Sequence, residues 1–152
     1  MPFRHRGFTL MEMMIVVVIL GVLVTIAYPS YQEQVRKSRR GDAKQALLDA
    51  ASRQEQYILD HSTYTADMEE LGYGEDPAVS EEDYYTVDAA ACAGGTIARC
   101  YTLTASPVAG TSQASDAGCT SFVVQSTGAR SATGTQANDR SEERRVGKEC
   151  RS

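Results

Sequence analysis

The run RGFTLMEMMIVVVILGVLVTIAYPSY, residues 6–31, holds a single carboxylate, Glu12, among side chains that water rejects. An ionised acid costs a few kcal/mol near the centre of a bilayer and less near its interface, so it normally has a partner or a purpose. The chemistry open to Glu12 is electrostatic: attraction of a cation in a medium where that attraction is far stronger than in water. The alternative is a side chain that snorkels to the headgroups from its place near the start of the run.

Hydrolysis is the second chemistry to weigh. His61 stands between Asp60 and Ser62, and the only other histidine is His5. Residues adjacent in sequence rarely converge on one substrate atom as a nucleophile and its base must. No G-x-S-x-G, phosphate-cradling glycine loop or metal-spaced histidine pair occurs. The expectation is a chain that is not an enzyme and has no cofactor and no metal.

Nine acidic residues and no lysine or arginine lie in residues 61–91. Acids this dense could hold calcium, but the D-x-[DN]-x-[DN]-G order is missing, so a solvated acidic face is expected. A local basic cluster, Arg36, Lys37, Arg39 and Arg40, reads as a solvated helix face or a lipid-headgroup contact. The whole chain has 15 basic against 20 acidic residues, and no basic surplus is interleaved with aromatics, so no nucleic-acid partner is expected.

The four cysteines, Cys92, Cys100, Cys119 and Cys150, lie beyond the apolar run and form no C-x-x-C pair. An oxidising compartment and disulfides fit that usage. Four cysteines allow three pairings; Cys92 with Cys100 is the local one, closing a loop that holds Gly94 and Gly95. Such a bridge contributes roughly 2 to 4 kcal/mol.

These residues need elements to position them. Residues 8–28 contain one carboxylate and would extend about 30 Å as a helix, the thickness of a hydrocarbon core. Arg4 and Arg6 precede the run, which places the short N-terminal arm on the cytoplasmic side and the remainder outside. No A-x-A cleavage site follows. Beyond Pro29, a residue expected to bend the rod, Val35, Ala43, Ala46, Leu47, Ala50, Gln54, Tyr57 and Ile58 recur at helical spacing. The span and this amphipathic segment therefore read as one long helix that ends near Asp60. Strands are expected at residues 84–87, 101–105 and 122–125, rich in β-branched and aromatic side chains. AGTSQASDAG and STGARSATGTQAND read as loops. A small antiparallel sheet packed on Leu47, Ala50 and Tyr57 gives an α+β class.

The stretch RGFTLMEMM resembles the prepilin signature of the type IV pilin family, and residues 28–65 with CYTLTASPVAG and GCTSFVVQSTGAR resemble the helix, first loop and sheet of its minor, PilE-like subunits. The similarity covers about residues 5–138. It implies a pilin fold, a long N-terminal α-helix on a small antiparallel β-sheet. It also implies cleavage by a prepilin peptidase between Gly7 and Phe8, N-methylation of Phe8, and pairing of Glu12 with the Phe8 amine of a neighbouring subunit in the filament. Pro29 matches the family's break in the helix. The implied division is a leader at 1–7, a transmembrane and assembly helix at 8–28, its amphipathic continuation at 29–60 and a head at 61–138. Partners would be other pilin subunits, the peptidase and an inner-membrane assembly platform. The implied location is the bacterial inner membrane with the C-terminal part periplasmic, and then the extracellular pilus.

The family closes its C-terminal loop with a disulfide whose second cysteine lies near the end, often before a tryptophan. This chain has no tryptophan and ends RSEERRVGKECRS, residues 140–152. That run resembles a gene read past a sequence junction, so the domain division sets 139–152 apart as a non-native tail, and Cys150 is at best a substitute partner for Cys119. Two other readings stand beside the pilus subunit: a pseudopilin of type II secretion, whose head commonly has a calcium loop and lacks these cysteines, and a membrane-anchored protein that grips a surface or DNA.

Overall fold

The computed structural model describes residues 8–135, which fall into two compact units divided between Val35 and Arg36. Among the described residues one helix, α1 (Leu10–His61), supplies the regular structure of the first unit and opens the second. Pro29 lies inside α1. It removes the hydrogen bond that residue 29 would give to the carbonyl of Thr25. α1 closes at Ser62, whose left-handed φ of 58° ends the helix and whose N–H reaches the Ile58 carbonyl at 2.9 Å.

In the second unit five strands form one sheet in the order β1-β2-β3-β4-β5, every pair antiparallel: β1 (Ala78–Val79), β2 (Tyr85–Ala91), β3 (Tyr101–Pro107), β4 (Ser121–Gln125) and β5 (Arg130–Thr133). Sequential strands lie side by side, so each connection is local. The alternation Tyr85, Val87, Ala89 on β2, Tyr101, Leu103, Ala105 on β3 and Phe122, Val124 on β4 turns one face of the sheet inward. Against it α1 presents Ala43, Leu47 and Ala50, all fully buried, at the i, i+4, i+7 spacing of one helix face. Met68 and Leu71 close the core from the loop side, and Ala78 from β1. This is the expected α+β class and pilin-like layering.

Three expectations are corrected. STGARSATGTQAND is not all loop, because β5 occupies Arg130–Thr133. Its residues are small and polar, but pairing with β4 matters more than propensity. The turn that starts it is a three-residue hairpin loop: Gly128 N–H meets the Gln125 carbonyl at 2.8 Å, Gln125 N–H meets the Ala129 carbonyl at 2.9 Å, and Gly128 takes a left-handed φ of 79°. The alanine run after Val87 belongs to β2, held through Ala91 by β3. Within AGTSQASDAG a short 3-10 turn, Ser112–Ser115, buries Gln113.

Apart from β1, which the sequence reading did not expect, residues 62–84 are a loop, and one fastened along α1 rather than simply a solvated acidic face. Gln54 grips Thr65 twice, Nε2 to the carbonyl at 2.6 Å and Oε1 from the N–H at 3.2 Å. Arg53 donates to the Leu71 carbonyl at 3.0 Å, Tyr73 to Asp49 at 2.6 Å and Ser80 to Asp42 at 2.5 Å. Going up the loop, the partners step back down the helix, so the loop runs antiparallel to α1.

Candidate functional site

Near the start of α1, Thr9 Oγ1 accepts the N–H of Glu12 at 3.2 Å, and the Thr9 carbonyl accepts the N–H of Met13 at 3.2 Å. Thr9 is thus the N-cap and Glu12 the third helical residue, the T-x-x-E order of a capping box before an apolar run. A carboxylate there faces the positive end of the helix macrodipole. The sequence reading missed this local reason for Glu12, although the order was visible. Phe8 is 78% exposed and Glu12 is exposed too, while Gly7 lies outside the described residues.

The apolar part of α1 covers itself with nothing. Exposure of its large side chains runs from 44% at Val16 to 79% at Leu10. Among the described residues α1 is the one helix long and apolar enough to cross a membrane, with a window of mean hydropathy 2.7 and no buried share. Thr25, a polar side chain in this stretch, bends its hydroxyl back to the Val22 carbonyl at 2.7 Å, which satisfies it without water.

The basic cluster splits in the second unit. Arg40 is 1% exposed and forks onto Asp116, Nε to Oδ2 at 2.7 Å and Nη2 to Oδ1 at 2.9 Å. For Arg40 the reading as a solvated face or headgroup contact is therefore wrong. The reason is tertiary: the loop before β4 brings in a carboxylate from 76 residues away. Asp116 also accepts Gln113 Nε2 at 3.0 Å and the N–H groups of Gly118 and Cys119 at 3.1 and 3.4 Å. Burial resists its ionisation, but the Arg40 hydrogen bonds and charge, helped by those two N–H groups, hold its pKa below the ordinary value. Arg39 keeps to the surface, its guanidinium 4.1 Å from the centre of the Tyr84 ring and hydrogen-bonded to Ser112 Oγ. Burial, and then Arg40, lower the pKa of Lys44.

His61 does not assemble a base with its neighbours. Its ring stacks on Tyr57 with centroids 4.0 Å apart, and Nδ1 faces the Tyr57 carbonyl at 3.2 Å. Both residues line an open groove of about 450 Å³ with Asp49, Arg53, Glu70 and Leu71. Within it Tyr57 and Thr65 donate to Glu70 at 2.8 and 2.6 Å, which lowers the Glu70 pKa, Thr65 contributing more. These bonds fasten the loop to the helix. Tyr64 and Tyr101 share Glu55 as acceptor, each at 3.3 Å, and Tyr101 is pushed up to about 12, by burial first and the Glu55 charge second. Among the described residues no group of three or more His, Cys, Asp or Glu side chains is placed to hold a metal ion.

A disulfide joins Cys92 to Cys100, with Cα atoms 5.7 Å apart. The two residues are the next cross-strand pair beyond Ala91 and Tyr101, so the bridge extends the β2–β3 ladder covalently. Gly95 must be glycine here, because a Cβ would stand 2.6 Å from Cys100 Sγ. Cys119 is fully buried, and its pairing with Cys150 falls on a residue outside the described ones, as does the tail at 140–152.

Comparison with known proteins follows from this geometry. The type IV major pilin protein PilA of Myxococcus xanthus is 35% identical over 88 residues, 58% of this chain and 39% of that protein. The type II secretion system core protein G of Dickeya chrysanthemi is 38% identical over 72 residues, 47% of each chain. The chain thus spans about two fifths to one half of these relatives' length. The crystal structure of the non-core minor pilin PilV of Neisseria meningitidis superposes with a TM-score of 0.50 at 22% identity, covering 69% of this chain and 93% of that one, a likeness of fold. The prokaryotic N-terminal methylation motif matches residues 2–28, and with the exposed apolar helix it fits a membrane-anchored pilus subunit. Residues 29–123, more than half of the chain, match the family described as type IV minor pilin ComP, DNA uptake sequence receptor, and the chain belongs to that family of pilus subunits.

Proposed function

We propose that the chain is a minor structural subunit of a type IV pilus and not an enzyme. In this reading residues 8–28 hold it in the inner membrane with the C-terminal part in the periplasm, and it enters the filament by exchanging lipid for the helices of other subunits. The observation that carries the proposal is the uncovered apolar surface of α1, 44% to 79% exposed at its large side chains. Such a surface in water would cost about 25 cal/mol for each Å², so lipid or sister helices must cover it. A prepilin peptidase cuts between Gly7 and Phe8 and methylates the Phe8 amine, and an inner-membrane platform feeds the subunit into the fibre. The leader is then 1–7, the assembly helix 8–28, its continuation 29–60 and the head 61–138.

Glu12 has two tasks in this scheme. In the single subunit it sits at the capped start of α1 beside Thr9. In the filament it neutralises the Phe8 amine of a neighbour, and matching these charges in low dielectric sets the register of assembly. Mass spectrometry of sheared filaments tests the proposal: a peptide beginning at methylated Phe8 is expected, and filaments free of this chain would end it.

Two further readings have support. The family description names a DNA uptake sequence receptor, which stands against the expectation of no nucleic-acid partner. DNA binding through Arg99 and Arg130, the two cations of the described residues beyond His61, would show a weak salt dependence, a slope near −2 on a log–log plot at about 0.9 per neutralised phosphate. Similarity to a type II secretion core protein keeps the pseudopilin reading. Recovery of the chain in secretion pseudopili and not in pili would favour it.

A further inference from the structure

One cavity of the head has a wall that fastens nothing. The open groove of the second unit runs along α1, where Asp49, Arg53, Tyr57 and His61 recur every four residues. Ser52, Gln56 and Asp60 form a second row beside them, and the loop adds Glu70 and Leu71. The first row is spent on the loop: Asp49 takes the Tyr73 hydroxyl, Arg53 gives to the Leu71 carbonyl and Tyr57 to Glu70. The second row is exposed, and its side chains make no hydrogen bond or ion pair among the described residues.

From this groove we infer a binding site for a neutral oligosaccharide, with a sugar ring laid on His61 and its hydroxyls met by Gln56, Asp60 and Glu70. A pyranose has an apolar face of C–H groups and a rim of hydroxyls that donate and accept, so it needs a ring to lie on and mixed polar groups around it. His61 offers the ring: it is exposed, and the Tyr57 stack at 4.0 Å, with Nδ1 on the Tyr57 carbonyl, fixes its plane. Gln56 supplies an amide that donates and accepts, Asp60 a carboxylate with no other task, and Glu70 its Oε1, since Oε2 already takes Tyr57 and Thr65. Because Tyr57, His61 and Glu70 are held before any ligand arrives, little order is lost on binding. Charge and polarity select the ligand class. Three acids against one arginine repel a phosphate or a nucleic acid. A simple cation would meet Arg53, whose guanidinium is fixed by Asp49, by the Leu71 carbonyl and 4.3 Å from the Tyr73 ring centre. Polar groups along both rows leave a lipid chain little to bury against. From Asp49 to His61 α1 rises about 18 Å, so more than one sugar ring fits along it. On a pilus subunit the site would give the fibre a hold on a glycan coat; that use rests on the pilus reading, whereas the binding does not.

The test uses the isotope-labelled full chain in phosphocholine micelles and follows the Tyr57 and His61 ring signals by nuclear magnetic resonance while cellotriose, maltotriose or chitotriose is added to tens of millimolar. At least one of these sugars should shift both rings saturably, and a flat response to all of them would overturn the inference. Shifts with spermidine but with none of the sugars would also overturn it, assigning the groove to an organic cation. Gln56→Ala, at an exposed position without a structural bond, should weaken binding about two- to tenfold, the worth of a neutral hydrogen bond. His61→Ala, read from Tyr57, should weaken it by about the same factor for the lost stack. His61→Phe should restore it, because the ring face carries the contact. Unchanged affinity in both alanine variants would place the sugar elsewhere and overturn the site. Every readout comes from the isolated chain, so failure here leaves pilus membership standing, and absence of the chain from filaments leaves the groove standing.

Discussion

Replacing Asp116 with asparagine removes a charge from the middle of the head while keeping its shape. The Arg40 guanidinium, 1% exposed, then sits in a dry site without the Asp116 carboxylate that now takes two of its N–H groups. Breaking a buried pair from one side costs about 3 to 5 kcal/mol, a large share of the roughly 5 to 15 kcal/mol that holds a domain of this size. Asparagine can still accept the Gly118 and Cys119 N–H groups at Oδ1, so the loop's turn is kept and the loss reports on the charged Oδ2 acceptor shared by Arg40 and Gln113. Urea unfolding of the full chain in micelles, followed by tyrosine fluorescence, should show the midpoint fall at unchanged slope.

The double variant Arg40→Met with Asp116→Asn should be less destabilised than Asp116→Asn alone, because it removes both charges together while Oδ1 still accepts the Gly118 and Cys119 N–H groups. The pH dependence adds a sign. The folded pKa of Asp116 is depressed, so its contribution is present above the unfolded value of about 3.9 and is lost as pH falls through the lower folded value. The gap between the native chain and Asp116→Asn should therefore close below about pH 4. A loss under about 1 kcal/mol at pH 7, or a gap unchanged in acid, would refute this account of the pair.

Glu12→Ala should enter membranes normally but assemble into filaments poorly, as read by the ratio of sheared to membrane-bound subunit; normal assembly would leave the acid with only its capping place beside Thr9. Tyr85 and Tyr101 are each pushed up to about 12, mainly by burial, and burial with the Asp49 hydrogen bond raises Tyr73 further, so a spectroscopic titration should find at least three of the eight tyrosines ionising about 2 units or more later than exposed ones, with stability intact below about pH 10 and falling as pH rises through the folded values. Gly95→Ala would press a methyl to 2.6 Å from Cys100 Sγ, and thiol trapping should detect slower closure of the Cys92–Cys100 bridge. Leu47→Ala, at the centre of the helix–sheet core, should cost about 2 to 5 kcal/mol in the same urea assay.

The long helix, its membrane-length apolar half and the odd carboxylate were legible from residue order, because a period of 3.6 and a run of 21 residues with one ionisable side chain are local properties of the chain. So were the cores of β2, β3 and β4, where β-branched and aromatic residues concentrate, and the cap at Thr9 could have been read from T-x-x-E. What order alone left open was the fate of residues whose neighbours are distant. Arg40 looked like its companions Arg36, Lys37 and Arg39 until folding set Asp116 against it, and β5 looked like a loop until β4 offered it a ladder. The acidic loop gained its footing only where Gln54, Arg53 and Asp49 meet it along α1. Periodicity fixes which face of an element is apolar; burial of a charge depends on which atoms arrive opposite it, and only the tertiary structure decides that.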